Sequence, residues 1–154
     1  MYLYLVRHGE ALTKEEDPEQ GLSPVGIDHI SRVAAFTKGL GIKVKQVFHS
    51  GKKRAEQTAR IFSEGVQSEL GVLETDGLAP MDAPEIWLER VSQMKEDVML
   101  VGHLPHLAKL STMALCGGME TQALDFHAGS IVCLKRAEDN TWAVDWMINP
   151  GLIQ

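Results

Sequence analysis

Three apolar runs in this chain stop on residues that could do chemistry. Arg7 and His8 close the run Tyr2–Val6. Ser50, with Arg54 shortly after, follows Val44–His49. Gly102 and His103 follow "DVMLV". Guanidinium and imidazole groups gathered at one place repel one another when charged and lose solvation when buried. A dianion removes both difficulties, and phosphate suits the residue types. Planar guanidinium forks match its oxygens in pairs, and a helix N-terminus adds N–H donors and a favourable dipole. Taken singly, each residue has an ordinary reading. A histidine at a strand end is usually structural, the arginine of "KKRAEQTA" a solvated helix charge, and "GHLPH" a capping turn. The joint pattern carries the chemistry.

The elements that must position these residues follow from periodicity. Tyr2–Val6 is short and apolar throughout, as a parallel-sheet strand buried on both faces is, and Asp97–Gly102 is a second strand of fully buried character. Ala11–Leu22 is polar and reads as an exposed loop. Ser23-Pro24 starts a helix, with Val25, Ile30, Val33, Ala34 and Leu40 on its apolar face and Gly39 and Gly41 as its stop. Val44–His49 is a second strand, and Arg54–Ser63 a second helix with Ala55, Thr58, Ala59 and Phe62 inward. Val72–Thr75 gives a third strand. Pro84–Lys95 is a helix carrying Ile86, Trp87, Val91 and Met94, and Leu104–Leu115 is another. Ser130–Lys135 and Trp142–Met147 pair as a hairpin. Alternating strands and helices imply an α/β fold, a three-layer α/β/α sandwich with a mainly parallel central sheet. Ligands bind beyond the carboxyl ends of such strands, so all three junctions fall on one rim.

The totals bound the rest. A chain of 154 residues, 44% hydrophobic, reads as one domain over 1–154. A net charge of -6 argues against a nucleic-acid binder and against a polybasic membrane surface. Cys116 and Cys133 form no metal-type pair and read as buried free thiols in a reducing compartment. Nothing resembles a signal peptide or a membrane span, so a cytoplasmic location is expected. No long apolar stripe is left over, so a monomer is expected. Met94, Met99, Met113 and Trp87 read as core. His29 reads as exposed, His49 as the end of a strand, His106 as lying one turn behind His103, and His127 as part of a loop near the mouth.

The stretches "LVRHGEA", "HSGKKRAEQTA" and "VMLVGHLPHL" resemble, in order, the three motifs of the histidine phosphatase superfamily, the group of phosphoglycerate mutases and many phosphatases. The compact chain with "RAEQTA" and "GHLP" is similar to its short SixA-type phosphohistidine phosphatases. The resemblance implies a phosphoglycerate mutase-like fold without a large cap insertion. It also implies His8 as the nucleophile of a phosphohistidine intermediate, Arg7, Arg54 and His103 as phosphoryl ligands, and neither metal nor cofactor. The Leu104 N–H, at a helix start, would add a contact. Gly9 would let the backbone turn beside the nucleophile, Ser50 would hold the loop, and Glu10 would be structural. Thr13 could reach in from the loop. Many ester-cleaving relatives carry a glutamate acid in the middle region. Here "DGLAPMDAPE" offers only Asp82 and Glu85 beyond Asp76, and their spacing reads as a helix-capping box. The substrate implied is a histidine-phosphorylated phosphotransfer or carrier protein. The alternatives are a small phosphate ester and a phosphate-binding module without turnover.

Overall fold

A computed structural model describes residues 1–153. Its elements are β1 (Tyr2–Arg7), α1 (Pro24–Gly39), β2 (Lys43–Val44), β3 (Gln46–His49), α2 (Lys53–Ser63), β4 (Gln67–Ser68), β5 (Val72–Glu74), α3 (Pro84–Gln93), β6 (Val98–Gly102), α4 (His106–Cys116), β7 (Ile131–Arg136) and β8 (Trp142–Ile148). The main sheet runs β5-β3-β6-β1-β7-β8. β5, β3, β6 and β1 are mutually parallel, and β7 lies antiparallel between β1 and β8.

Successive side chains of a strand point to opposite faces, and the two buried central strands use both. Tyr4, Val6, Met99 and Val101 pack on one side with Ile30 and Val33 of α1 and Ala55, Ala59 and Phe62 of α2. Leu3, Leu5, Val98 and Leu100 pack on the other with Trp87 and Val91 of α3 and Leu107 and Leu110 of α4. This double burial makes the sandwich three layers deep and explains the unbroken apolar runs.

Several boundaries differ from the expectations. Val44–His49 is two strands. Lys45 interrupts it, its N–H turning to the Asp97 carbonyl at 2.7 Å, and β2 pairs with β4 in a separate small sheet. Val25, Leu40 and Ile86 are exposed. The α3 helix ends at Gln93. Cys133 is buried as expected, but Cys116 is exposed at the end of α4. The link from β5 to α3, residues 75–83, contains no helix. Among the described residues no helix is long and apolar enough to cross a membrane.

Candidate active site

The register of the sheet sets the site. Arg7 pairs with Gly102, and His49 with Val101, so β1, β3 and β6 end on one rim. The His8 N–H donates to the Gly102 carbonyl at 3.0 Å. The His8 Nδ1 lies 2.7 Å from the Gly9 carbonyl. A carbonyl only accepts, so Nδ1 carries the proton and Nε2 presents its lone pair. Arg54 Nε donates toward that Nε2 at 3.4 Å. Burial, aided by Arg54 and Arg7, pushes the His8 pKa down to about 4 against the opposing pull of the Gly9 carbonyl. The ring is therefore neutral at pH 7, as a nucleophile must be.

The His103 ring lies 4.8 Å from that of His8, centroid to centroid. It is 1% exposed. Its Nε2 meets the Ser50 hydroxyl at 2.6 Å, while its Nδ1 is buried without a partner. Burial first, then the charges of His8, Arg54 and Lys52, push its pKa down to about 3. A bound phosphoryl dianion would act the opposite way and favour the protonated ring.

A measurable consequence follows from these depressed values. The unfolded chain binds protons to its histidines near pH 6.5, whereas the fold resists protonation at His8 and His103. Their contribution is complete above pH 6.5 and is lost as pH falls toward the folded values. For a fully buried ring such as His103 the loss is on the order of 1 kcal/mol per pH unit. Thermal melts at pH 7 and pH 5 are expected to show this loss in the free protein and a smaller loss with phosphate present.

The arginines complete the rim. Arg7 Nη1 donates to the Phe126 carbonyl at 2.7 Å, and its Nε is buried without a partner. Burial lowers the pKa of both Arg7 and Arg54, a direction that still leaves guanidinium charged. Among the described residues no carboxylate is ion-paired with either. Two cations and two imidazoles thus converge at the ends of β1, β3 and β6, with Arg7 Nε and His103 Nδ1 buried and unpartnered.

The sequence model of the histidine phosphatase superfamily (branch 1) matches residues 3–87, a span holding Arg7, His8, Ser50 and Arg54. The chain belongs to this superfamily. Its fold is similar to that of the protein histidine phosphatase SixA complexed with tungstate, with a TM-score of 0.84, 23% identity and 99% of each chain covered. It is also similar to a candidate phosphohistidine phosphatase SixA from Agrobacterium tumefaciens, with a TM-score of 0.77, 22% identity and 97% of this chain and 98% of that chain covered. A mutant phosphoserine phosphatase from Entamoeba histolytica in complex with phosphoserine has a TM-score of 0.71 and 16% identity, with 97% of each chain covered. Identities this low show a shared fold. No curated protein matches the sequence.

The supporting residues of this histidine phosphatase divide clearly. Gly9 is required by packing: a Cβ there would lie 2.8 Å from Ile30 Cγ1 and 3.2 Å from the Gly26 carbonyl. Ser50 holds His103, as above. Glu10 accepts from the Ser23 hydroxyl at 2.8 Å and is structural. Thr13 bonds Glu16 in the exposed loop at 2.9 Å. Leu104 departs from expectation: α4 begins at His106 with Pro105 as its N-cap, so the Leu104 N–H is not part of the helix N-terminus.

The capping box is also absent. Ala83 is the N-cap of α3 and provides no side-chain bond. Asp82 instead accepts the Ala79 N–H at 2.9 Å, because the tight turn before the helix offers that donor first. Glu85 is exposed and lines a groove with Leu88 and Trp142 on the α3 side. His127 is exposed, and His106 is fully buried with neither ring nitrogen partnered.

Two supports escape a reading by motif. The Thr58 hydroxyl accepts the Gly9 N–H at 3.1 Å and donates to the Arg54 carbonyl at 2.7 Å, which ties the segment after β1 to the first turn of α2. The loop after α4 supplies the Phe126 carbonyl to Arg7, and the Gly129 N–H to the Arg7 and His8 carbonyls at 3.1 Å each. The spacing of Thr58 on α2 marks it only as inward-facing. A backbone carbonyl such as that of Phe126 leaves no mark in the residue types.

Proposed function

We propose that this histidine phosphatase removes the phosphoryl group from a phosphohistidine side chain of a protein. One observation carries the reading. The groups that meet at the ends of β1, β3 and β6 are two guanidinium and two imidazole side chains, while of the acid candidates Asp82 accepts the Ala79 N–H and Glu85 is exposed on α3. A leaving alkoxide needs a proton donor. An imidazole leaves readily, above all when its other nitrogen is already protonated and it departs neutral.

In this reading the His8 Nε2 attacks phosphorus as the substrate P–N bond breaks. Arg7, Arg54 and a protonated His103 hold the phosphoryl oxygens while charge spreads over them. Water then attacks the phosphorus of phospho-His8, the His8–P bond breaks, and phosphate leaves with His8 again neutral. The link 75–83 contains no helix, in keeping with a chain that carries no large helical cap over a protein substrate.

The test compares hydrolysis of a histidine-phosphorylated phosphotransfer domain with that of p-nitrophenyl phosphate, using wild type and Asp82→Ala. Faster loss of protein phosphohistidine, reduced less than about tenfold by Asp82→Ala, is expected. Fast ester cleavage with the phosphoprotein untouched would move the substrate to a small phosphate ester. A loss of ester cleavage on Asp82→Ala would then make Asp82 its acid.

A further inference from the structure

His49 takes no part in the mechanism above, yet it is 4% exposed and ends the strand that leads into the site. Its Nδ1 accepts the Gly51 N–H at 3.1 Å. An N–H only donates, so Nδ1 is unprotonated and the ring proton sits on Nε2. The next residue along, Ser50, carries the hydroxyl that meets His103 Nε2 at 2.6 Å and also accepts the Lys52 N–H at 3.4 Å. Arg54 follows in the first turn of α2.

The turn between them has little freedom. Gly51 has φ +88, in the left-handed region that favours glycine, and the Glu74 carboxylate covers its α-carbon, so a Cβ there would collide with it. The Thr75 N–H donates to the His49 carbonyl at 2.9 Å and pins the strand end. The His49 ring is therefore the acceptor that sets the Gly51 peptide inside a confined turn.

We propose that His49 is a positioning residue for phosphoryl transfer: its Nδ1 fixes the Gly51 amide, and through that turn the Ser50 hydroxyl and His103. The inference rests on phosphoryl transfer at His8 and holds whether the substrate is a protein or a small ester. It carries a pH signature. A proton on Nδ1 replaces the acceptor with a donor that faces the Gly51 N–H, so the turn is released as pH falls.

The groups facing the ring are Glu74 on β5 and Glu56 and Arg60 on α2. Burial lowers its pKa, the two carboxylates raise it and Arg60 lowers it, with a net downward shift. As the ring gains its proton on the acid side, the Gly51 contact is lost and activity declines.

The experiment measures kcat/KM for p-nitrophenyl phosphate against pH for wild type, His49→Asn and His49→Ala. The substrate's own ionisation is common to all three. Asparagine offers an Oδ1 acceptor near the Nδ1 position and does not titrate. His49→Asn is expected to keep kcat/KM at pH 7.5 within about threefold of wild type and to move the acid limb to lower pH. His49→Ala, with no acceptor, is expected to lose about three- to tenfold above the acid limb and to converge on wild type below it.

A wild-type control needs no variant. In an NMR titration the Gly51 amide shift is expected to move with the His49 ring, at the pH of the acid limb. An acid limb identical in wild type and His49→Asn would overturn the proposal, as would wild-type behaviour of His49→Ala or a Gly51 amide that does not follow His49. If wild type hydrolyses no phosphoryl substrate at all, the proposed function fails instead, while the Gly51 titration still reports whether the His49 contact governs the turn.

Discussion

Replacing His8 by alanine is expected to lower kcat by about 10⁴-fold or more. The magnitude follows from the absence of a substitute at the same place. The second imidazole, His103, has its Nε2 on the Ser50 hydroxyl at 2.6 Å, and the remaining groups on the rim are cations without a lone pair. His8 alone combines a Nδ1 proton held by the Gly9 carbonyl with a Nε2 lone pair met only by a long contact from Arg54 Nε at 3.4 Å. The loss should be confined to chemistry. His8→Ala keeps both arginines and His103, the charged and donor groups that hold phosphate, so phosphate binding should be retained. Two measurements check this: single-turnover rates, and phosphoryl labelling of the protein quenched in alkali, where an N-phosphoryl histidine survives. Wild type should carry an acid-labile label and His8→Ala none. Retention of more than about one per cent of the rate by His8→Ala would place the nucleophile elsewhere.

Much of this arrangement is legible in the chain because the sheet forces it. Tyr2–Val6 and Val98–Gly102 face packed helices on both sides, so burial leaves no polar position until the strand ends, and the first polar residues after each run are those of the site. The α2 helix is legible for the same reason, its inward Ala55, Thr58, Ala59 and Phe62 matching one stripe. What is not legible depends on competition between neighbours. The break at Lys45 depends on the Asp97 carbonyl, which arrives from far along the chain. The Asp82–Glu85 spacing fits a capping box, but the Ala79 N–H competes for the same carboxylate and wins. Leu104 sits ahead of the helix because Pro105 takes the N-cap. Contacts made by backbone carbonyls, such as that of Phe126 to Arg7, could not be read from side-chain identity at all.

Arg7 illustrates how such a hidden contact sets the second large effect. Arg7→Met is expected to lower kcat/KM by about 10²–10³-fold, the scale for losing one donor to a developing phosphoryl charge. The Arg7 Nη1 is committed to the Phe126 carbonyl at 2.7 Å, which holds the guanidinium in place, and the buried Nε has no partner in the protein. Lysine cannot reproduce this, because one ammonium cannot hold a carbonyl in a fixed plane and present a second, parallel donor. Arg7→Lys should therefore recover little of the loss. Stability should respond differently from activity. The methionine variant relieves the desolvation of a cation that makes no ion pair, but it strands the Phe126 carbonyl, and each effect is on the order of 1–3 kcal/mol. They oppose each other, so the Tm of the free protein should change little. The increase in Tm caused by phosphate should shrink sharply, since each tenfold loss of affinity removes about 1.4 kcal/mol of ligand stabilisation. Melting curves of wild type, Arg7→Met and Arg7→Lys, with and without phosphate, separate the two effects. A variant that loses its free-protein Tm as well would mean that the Arg7–Phe126 bond holds the fold together and that its aim at the phosphoryl group is secondary.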